Sequence, residues 1–567
     1  MERQRVEHLG RRLRAGLVAS LIALSATAAG NALAQAPDAG GLGPASLRPL
    51  PTPTPPGGFD FSIESTRPSP VPRAVEELRF ELRGITIVGA KALTDAELQA
   101  IYNPYIGKQI GFSDLLNIAS AIEAAYRDKG YAIVRAYVPP QRVGNGIFTI
   151  NVVEGYVNAI AIDGGDSGVR DLVTAYTAPI TAARPLEIGS VERGLLLSND
   201  LPGVQASALL RPSPDQPGAS DMVVTVNQTP LTGGLNFDNR GSPFTDLWTI
   251  GGDVEWNSPT GSADQFYGNV QMAPDPSERI EGTVRYQHPL GTNGLTASVY
   301  TTVSNGAPVG VANGISVTTN SIAVGPRLSY PIIRSRNETL NIEGGWTYQD
   351  ATVNAAGMQF SHDHWNVLDV GATYSQNGFW EGNTTGVIDI AQGLQIFGAT
   401  ENDSPSLSRI GAHTDFTKIT FTLKRAQLLW GPISAFVWLQ GQWSPVPLVV
   451  GEQITFGGYE IGRGYWPSAL SGDSGVGGSG ELRYDHQFTD SWIQTVQPYI
   501  FFDTGKIWNH IGNTPNQAVA STGFGVRLSL PLNITGDVEF ASMLLGVPGS
   551  NNGERTNRVL LSGAIRF

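Results

Sequence analysis

Arg558-Val559-Leu560-Leu561-Ser562-Gly563-Ala564-Ile565-Arg566-Phe567 closes the chain. Read with a period of two, Val559, Leu561, Gly563, Ile565 and Phe567 share one face; Arg558, Leu560, Ser562, Ala564 and Arg566 share the other. An apolar face ending on an aromatic residue, set against a face with arginines at both ends, suits a strand between lipid and a wet lumen. A half-buried strand of a soluble sandwich alternates in the same way, but nothing in that setting favours a terminal phenylalanine.

Backward from this strand, no convincing helix appears until Leu231. Strand-like alternation recurs at 248–256, 279–288, 295–303, 322–330, 339–348, 386–391, 418–423, 435–443, 499–503, 523–530 and 535–543. Membrane-spanning strands take about 9–11 residues, so residues 231–567 have room for about sixteen with their connections. Composition agrees. The 567 residues include 68 Gly, 11 Trp, 17 Tyr and 21 Phe, only 15% are charged, and none is Cys. Mean hydropathy is −0.09, as expected where apolar and polar positions alternate. Without cysteine there is no disulfide scaffold, Cys-ligated metal or thiol nucleophile. A net charge of −13 argues against nucleic acid as a partner, and no Gly-x-x-x-x-Gly-Lys-Ser/Thr loop for nucleotide phosphates occurs.

The front of the chain has a different character. Residues 1–34 read as a secretory signal peptide: Arg3, Arg5, Arg11, Arg12 and Arg14, a small-apolar run at 15–29, and Ala32-Leu33-Ala34 as cleavage site. Its removal leaves a mature charge near −16. Residues 35–77 read as a proline-rich linker, with ten prolines by residue 73 favouring an extended chain. Residues 78–155 form an α+β module in the order β-α-α-β-β. Thr94-Asp95-Ala96-Glu97 opens its first helix with capping chemistry. Leu115, Ile118, Ala119, Ile122 and Tyr126 mark the inner face of its second, and Gly130 ends it. Residues 156–230 repeat the plan, which suggests a binding arm rather than a catalytic domain.

One barrel segment stands apart. Gly457-Gly458-Tyr459-Glu460-Ile461-Gly462-Arg463-Gly464-Tyr465 lies in a stretch that reads as loop to about Gly480. About forty residues on, Tyr499-Ile500-Phe501-Phe502-Asp503-Thr504-Gly505 puts Asp503 on the lumen side if Phe502 faces lipid. From spacing alone two readings stay open: a charge-assisted pair between Arg463 and Asp503, or a solvated arginine on an outer loop.

At these residues the sequence resembles the outer-membrane transporters of two-partner secretion, the TpsB class of ShlB/FhaC/HecB haemolysin secretion/activation proteins, in the superfamily of BamA-like barrel proteins. In the first module the resemblance rests on Gly130-Tyr131, Val138-Pro139-Pro140-Gln141, Gly146 and Val153-Glu154-Gly155; in the second on Leu201-Pro202-Gly203 and the strand ending at Val226. In the barrel it rests on Asp238-Asn239-Arg240-Gly241, residues 440–447, Phe456-Gly457-Gly458, Arg463-Gly464-Tyr465, Gly472-Asp473-Ser474-Gly475, and Phe501, Asp503 and Gly505.

The resemblance implies two periplasmic POTRA modules, 78–155 and 156–230, and a 16-stranded antiparallel transmembrane β-barrel. It implies that loop 451–480 folds into the lumen, where Gly462, Arg463, Gly464 and Tyr465 meet an inner-wall set of Phe501, Asp503 and Gly505. It singles out Gly130, Tyr131, Pro139, Gln141, Glu154 and Gly155 as module motif residues and Phe567 as the barrel's C-terminal signature. The implied function is translocation of an unfolded exported protein, haemolysin- or adhesin-like, with no enzyme activity, metal, cofactor, nucleotide or nucleic acid. The implied partners are a large exoprotein with an N-terminal secretion domain, outer-membrane lipid, and barrel-assembly machinery for insertion. A barrel-assembly insertase is the alternative. The family often plugs its pore with an N-terminal helix, and the proline-broken residues 35–73 offer no good one. Two further motifs read as coincidences: Gly472-Asp473-Ser474-Gly475 as a protease nucleophile segment, because no His–Asp partners accompany it, and His362 with His364 as metal ligands, because no third ligand is in view.

Overall fold

The computed structural model describes residues 60–63 and 79–567, apart from 132, 143–144, 215, 217, 309–315, 490–491, 512–516 and 547–554. The expected signal peptide and all but four residues of the expected linker lie outside the described residues.

In the first module the strands Gly84–Val88, Val134–Tyr137 and Ile147–Glu154 form a sheet in which the last pairs in parallel with the first and antiparallel with the middle one. The helices Asp95–Tyr102 and Phe112–Asp128 cover it. Thr94 and Glu97 make the capping box, with Thr94 N donating to Glu97 Oε2 at 2.9 Å. The longer helix buries Leu115, Ile118, Ala119, Ile122 and Tyr126. Each large aliphatic side chain taken out of water there contributes about 1.5–3 kcal/mol. The second module repeats this order and pairing: strand Tyr156–Gly164, helices Ser167–Ala182 and Ile188–Asn199, strands Val204–Pro212 and Ala219–Gln228.

The expected linker needs a correction. Phe61–Ile63 is a strand, added in parallel to Val204–Pro212 at the edge of the second module's sheet. Its apolar-polar-apolar alternation falls in the longest proline-free interval of the segment, and Phe61 packs on the second module's core.

Sixteen strands, from Leu231–Asp238 to Asn557–Arg566, each antiparallel to the next, close into a barrel by pairing of the last with the first. Ser474–Tyr484 and, after a break, His486–Gln487 both pair with Thr495–Trp508 and make one spanning strand. The alternation holds side by side in the last strand: Val559 is 58% exposed and Arg558 6%. No described helix is long and apolar enough to cross a membrane. Trp380, Trp430, Trp492 and Phe567 are exposed at the module-side end, where aromatic side chains suit the lipid–water boundary.

A second correction concerns the expected loop 451–480. The non-barrel segment is 444–473, and Ser474–Tyr484 is a barrel strand. Its sequence Ser474-Gly475-Val476-Gly477-Gly478-Ser479-Gly480 has loop composition, but its lumen-facing glycines serve clearance. A Cβ at Gly477 would lie 2.6 Å from the Phe456 ring, and one at Gly475 2.8 Å from Ile454. The barrel strands Leu231–Asp238, Gln265–Met272 and Met358–Phe379 also escaped the sequence reading.

Candidate functional site

Segment 444–473 leaves the barrel wall at the end remote from the modules and turns down into the lumen. Its tip is a tight fold: Gly457 N donates to Ile461 O at 2.9 Å, and Gly462 sits at φ +83°, a conformation side chains other than glycine rarely adopt. The next residue, Arg463, is 4% exposed. Its Nε and Nη2 donate to the two carboxylate oxygens of Asp503 at 3.1 and 2.9 Å, and its backbone N donates to Asp503 Oδ2 at 3.2 Å. Nη1 reaches Glu481 Oε1 at 2.8 Å and Glu539 Oε2 at 3.0 Å; Nη2 also reaches Ser479 Oγ at 2.8 Å. The guanidinium lies 3.6 Å over the ring of Phe501, a cation–π contact strengthened by desolvation. Asp503 is fully buried while Phe502 faces outward.

The neighbours of Arg463 fix the approach. A Cβ at Gly464 would lie 3.0 Å from the backbone N of Met543, so the loop runs against bare wall backbone. Tyr465 Oη donates to Leu545 O at 2.7 Å, and Arg558 donates to Tyr465 O at 2.5 Å. Gly505 lies under Phe456, with 2.9 Å to a Cβ placed there. Among the named lumen residues, the structure therefore gathers Gly462, Arg463, Gly464, Tyr465, Phe501, Asp503 and Gly505 in one place. Sequence reasoning missed Glu481, Glu539 and Ser479. Glu539 shares strand parity with Asp537, opposite Val538 and Phe540, and that signal was available. Glu481 and Ser479 were hidden by the glycine run assigned to loop. Arg527 and Arg483 also bind Glu481, and Tyr499 Oη donates to Glu539. Among the described residues, removing Arg463 would thus leave Asp503 with Ser521 Oγ, at 3.1 Å, as its one side-chain donor.

The module motif residues lie far from the lumen. Glu154 Oε1 accepts from the amides of Lys91 and Ala92 at 2.6 and 2.8 Å and from Tyr126 Oη at 2.6 Å. Burial pushes the Glu154 carboxyl pKa up; the Tyr126 hydroxyl and the two amides outweigh it and hold the group below its usual value. Pro139 and Pro140 follow the strand Val134–Tyr137, where they cannot extend its ladder of amide donors. Gln141 then replaces a strand residue with its side chain: Nε2 donates to Thr149 O at 2.9 Å and Oε1 accepts from Thr149 N at 2.8 Å. Gly130, Tyr131 and Gly155 form the junction between modules. Ile188 N donates to Gly130 O, Leu186 N to Gly155 O, and Tyr131 makes a bridge with Glu187. The second module in turn sits on the barrel's near-side turns. Arg334 binds both oxygens of Asp200 at 2.8 and 2.6 Å, and Arg193 donates to Pro331 O.

The two coincidental motifs have structural explanations. Asp473 is fully buried and bound to Arg409. His362 pairs with Asp350 at 2.7 Å and His364 packs on Tyr348; among the described residues no group of three potential ligands forms.

Known proteins bear on the family and the fold. A family model described as haemolysin secretion/activation protein ShlB/FhaC/HecB matches residues 218–528, and one for the ShlB-type POTRA domain matches 80–155. The chain is 24% identical over 416 residues to the heme/hemopexin transporter protein HuxB of Haemophilus influenzae, covering 70% of this chain and 71% of HuxB. It is 24% identical over 446 residues to the outer membrane transporter CdiB of Escherichia coli, covering 76% and 73%. The solved structure of CdiB from Escherichia coli aligns with a TM-score of 0.68 at 20% identity over 88% of this chain and 93% of that one. BamA from Haemophilus ducreyi lacking POTRA domains 1–3 aligns with a TM-score of 0.53 at 12% identity over 86% and 100%, a likeness of fold.

Proposed function

We propose a function on the premise that the chain belongs to the haemolysin secretion/activation family of ShlB, FhaC and HecB, whose model matches more than half of it. It is an outer-membrane transporter that secretes a partner protein, with its POTRA domain in the periplasm. In our reading the partner is a large exoprotein that arrives unfolded through an N-terminal secretion domain. Residues 1–34 are the export signal, 78–155 and 156–230 are two POTRA modules, and the barrel is inserted into lipid by the cell's barrel-assembly machinery. An extended segment of the partner adds to a module sheet edge, where main-chain bonds give affinity with little demand on side chains. It then threads the lumen, and folding outside gives direction.

The observation that carries this reading is the lumen loop clamped by one buried arginine on three wall carboxylates. Such a plug has no use in a passive pore and must be released for a chain to pass. Replacing Arg463 by Ala tests it, with secretion and barrel insertion measured separately. Loss of secretion from a correctly inserted barrel is expected. Normal secretion would sink the clamp. A general loss of other outer-membrane barrels on deleting the chain would point to an insertase instead.

A further inference from the structure

The lumen loop has a second, independent anchor at its outer base. Asp473, immediately before the strand Ser474–Tyr484, is fully buried. It accepts from five groups: Arg409 Nη1 at 2.5 Å and Nη2 at 3.3 Å, the amides of Leu448 and His510 at 2.9 and 2.8 Å, and Gln453 Nε2 at 3.3 Å. These donors come from three separate stretches of chain. Leu448 and Gln453 belong to the descending limb of the lumen loop. His510 follows the strand Thr495–Trp508. Arg409 belongs to segment 395–416, the connection between the strands Gly382–Leu394 and Thr417–Trp430 at the outer end of the barrel.

Segment 395–416 is folded inward over the mouth. Leu407, Ala412 and Phe416 are buried with Trp365 and Val367 of the wall and with Leu448 and Val449 of the lumen loop. Ser408 N donates to Asp363 Oδ1 at 2.7 Å, and Val450 N donates to Ser408 Oγ at 3.3 Å. Arg409 itself spans the gap, donating also to Leu448 O and to Asn509 Oδ1. None of the side chains bound to Arg463 takes part, so releasing the inner clamp leaves the outer contacts intact. The Asp473 side chain is fully buried and that of Arg409 is 16% exposed, so the pair sits where water can reach the arginine first. Separating such a pair is costly while either charge stays buried, and the cost falls once water solvates both groups.

We propose that Arg409 and Asp473 form an outer latch that holds segment 395–416 across the extracellular mouth, and that a polypeptide leaves the barrel only after this latch opens. The proposal rests on the transporter reading and adds a second barrier to it, beyond the clamp at Arg463. Opening breaks no covalent bond. The Arg409 guanidinium and the Asp473 carboxylate are rehydrated as the apolar contacts of Leu407 and Phe416 separate.

The test uses the absence of cysteine from the chain. In the full-length protein, Ser408→Cys combined with Val450→Cys joins segment 395–416 to the lumen loop through one disulfide. Secretion is expected to stop in the oxidised protein and to return on adding a reductant, with barrel insertion unchanged throughout. Undiminished secretion by fully cross-linked protein would overturn the latch. A second arm needs no partner protein: Asp473→Asn and, separately, Arg409→Gln, each in planar lipid bilayers. Loss of a charge-assisted bond shifts a two-state equilibrium by roughly ten- to a hundredfold, so open-channel events should become at least about tenfold more frequent in both variants. An unaltered opening frequency in a folded Asp473→Asn barrel would overturn the latch. Failure of the unsubstituted chain to secrete any partner, with the bilayer effect intact, would instead count against the transporter reading and leave the latch standing.

Discussion

Glu154 shows how a motif residue can matter without touching cargo. One carboxylate oxygen ties the loop at Lys91 and Ala92 to the helix through Tyr126, and the next residue, Gly155, is a junction to the second module. Its pKa in the folded module lies below the unfolded value of about 4.3. The stability it gives is therefore complete above that value and is lost as pH falls through the lower, folded one. Glu154→Gln should lower the stability of the first module by about 1.5–3 kcal/mol at neutral pH, the range for losing hydrogen bonds to a charged group. The gap to the native protein should close below about pH 4. Amide exchange at Lys91 and Ala92 in the full chain, followed across that range, reports it directly. A gap that stays constant into acid would mean the charge of Glu154 is not what holds the loop.

At the scale of elements, the strand Ser474–Tyr484 explains both what the sequence made legible and what it hid. Most strands with apolar-out, polar-in alternation announced themselves, the last one most clearly, because lipid and lumen impose opposite chemistry on adjacent residues; Leu231–Asp238, Gln265–Met272 and Met358–Phe379 did not. The modules were legible through helical periodicity and capping. The glycine strand was not, because its residues are chosen for the lumen loop pressed against them rather than for strand propensity. With it went Glu481 and Ser479, two of the groups that hold Arg463. Asp473 was hidden in another way: its partners lie 64, 25 and 37 residues away in the chain, and no local pattern marks such a meeting. The clearance argument is testable with two alanines. Gly477→Ala places a methyl 2.6 Å from Phe456, whereas a Cβ at Gly480 meets nothing within 4 Å. Overpacking should lower the stability of the first variant by about 1–3 kcal/mol. The second should unfold at the native temperature, read from heat-dependent mobility of the barrel on gels. Equal behaviour of the two would mean that the loop does not press on this wall.

On the scale of the whole molecule, the modules and the barrel are joined in series by contacts of different kinds. The first module meets the second through a few backbone bonds at Gly130, Tyr131 and Gly155 and through Ile133, which packs on the second module's core. The second meets the barrel through charged side chains (Arg334 with Asp200, Arg336 with Glu192, and Arg193 on the carbonyls of Pro331 and Ile332), through Gly168 N on Gly261 O, and through Ala263, which is buried in the module's core. Both joints combine backbone and apolar contacts, and the second adds the arginine ion pairs, so the second module is the more firmly held platform. The side chain of Arg334 is 4% exposed and that of Asp200 38%. Asp200→Ala therefore strands a buried guanidinium beside a partly wet site. The cost should fall below the 3–5 kcal/mol of a fully buried pair, at about 1–2 kcal/mol. Hydrogen exchange should then accelerate in the helix Ile188–Asn199, which carries Glu192 and Arg193 and ends beside Asp200, while the barrel strands keep their native rates. Unchanged exchange in that helix would show that the platform is held by its apolar and backbone contacts alone, and that the arginine forks only orient it.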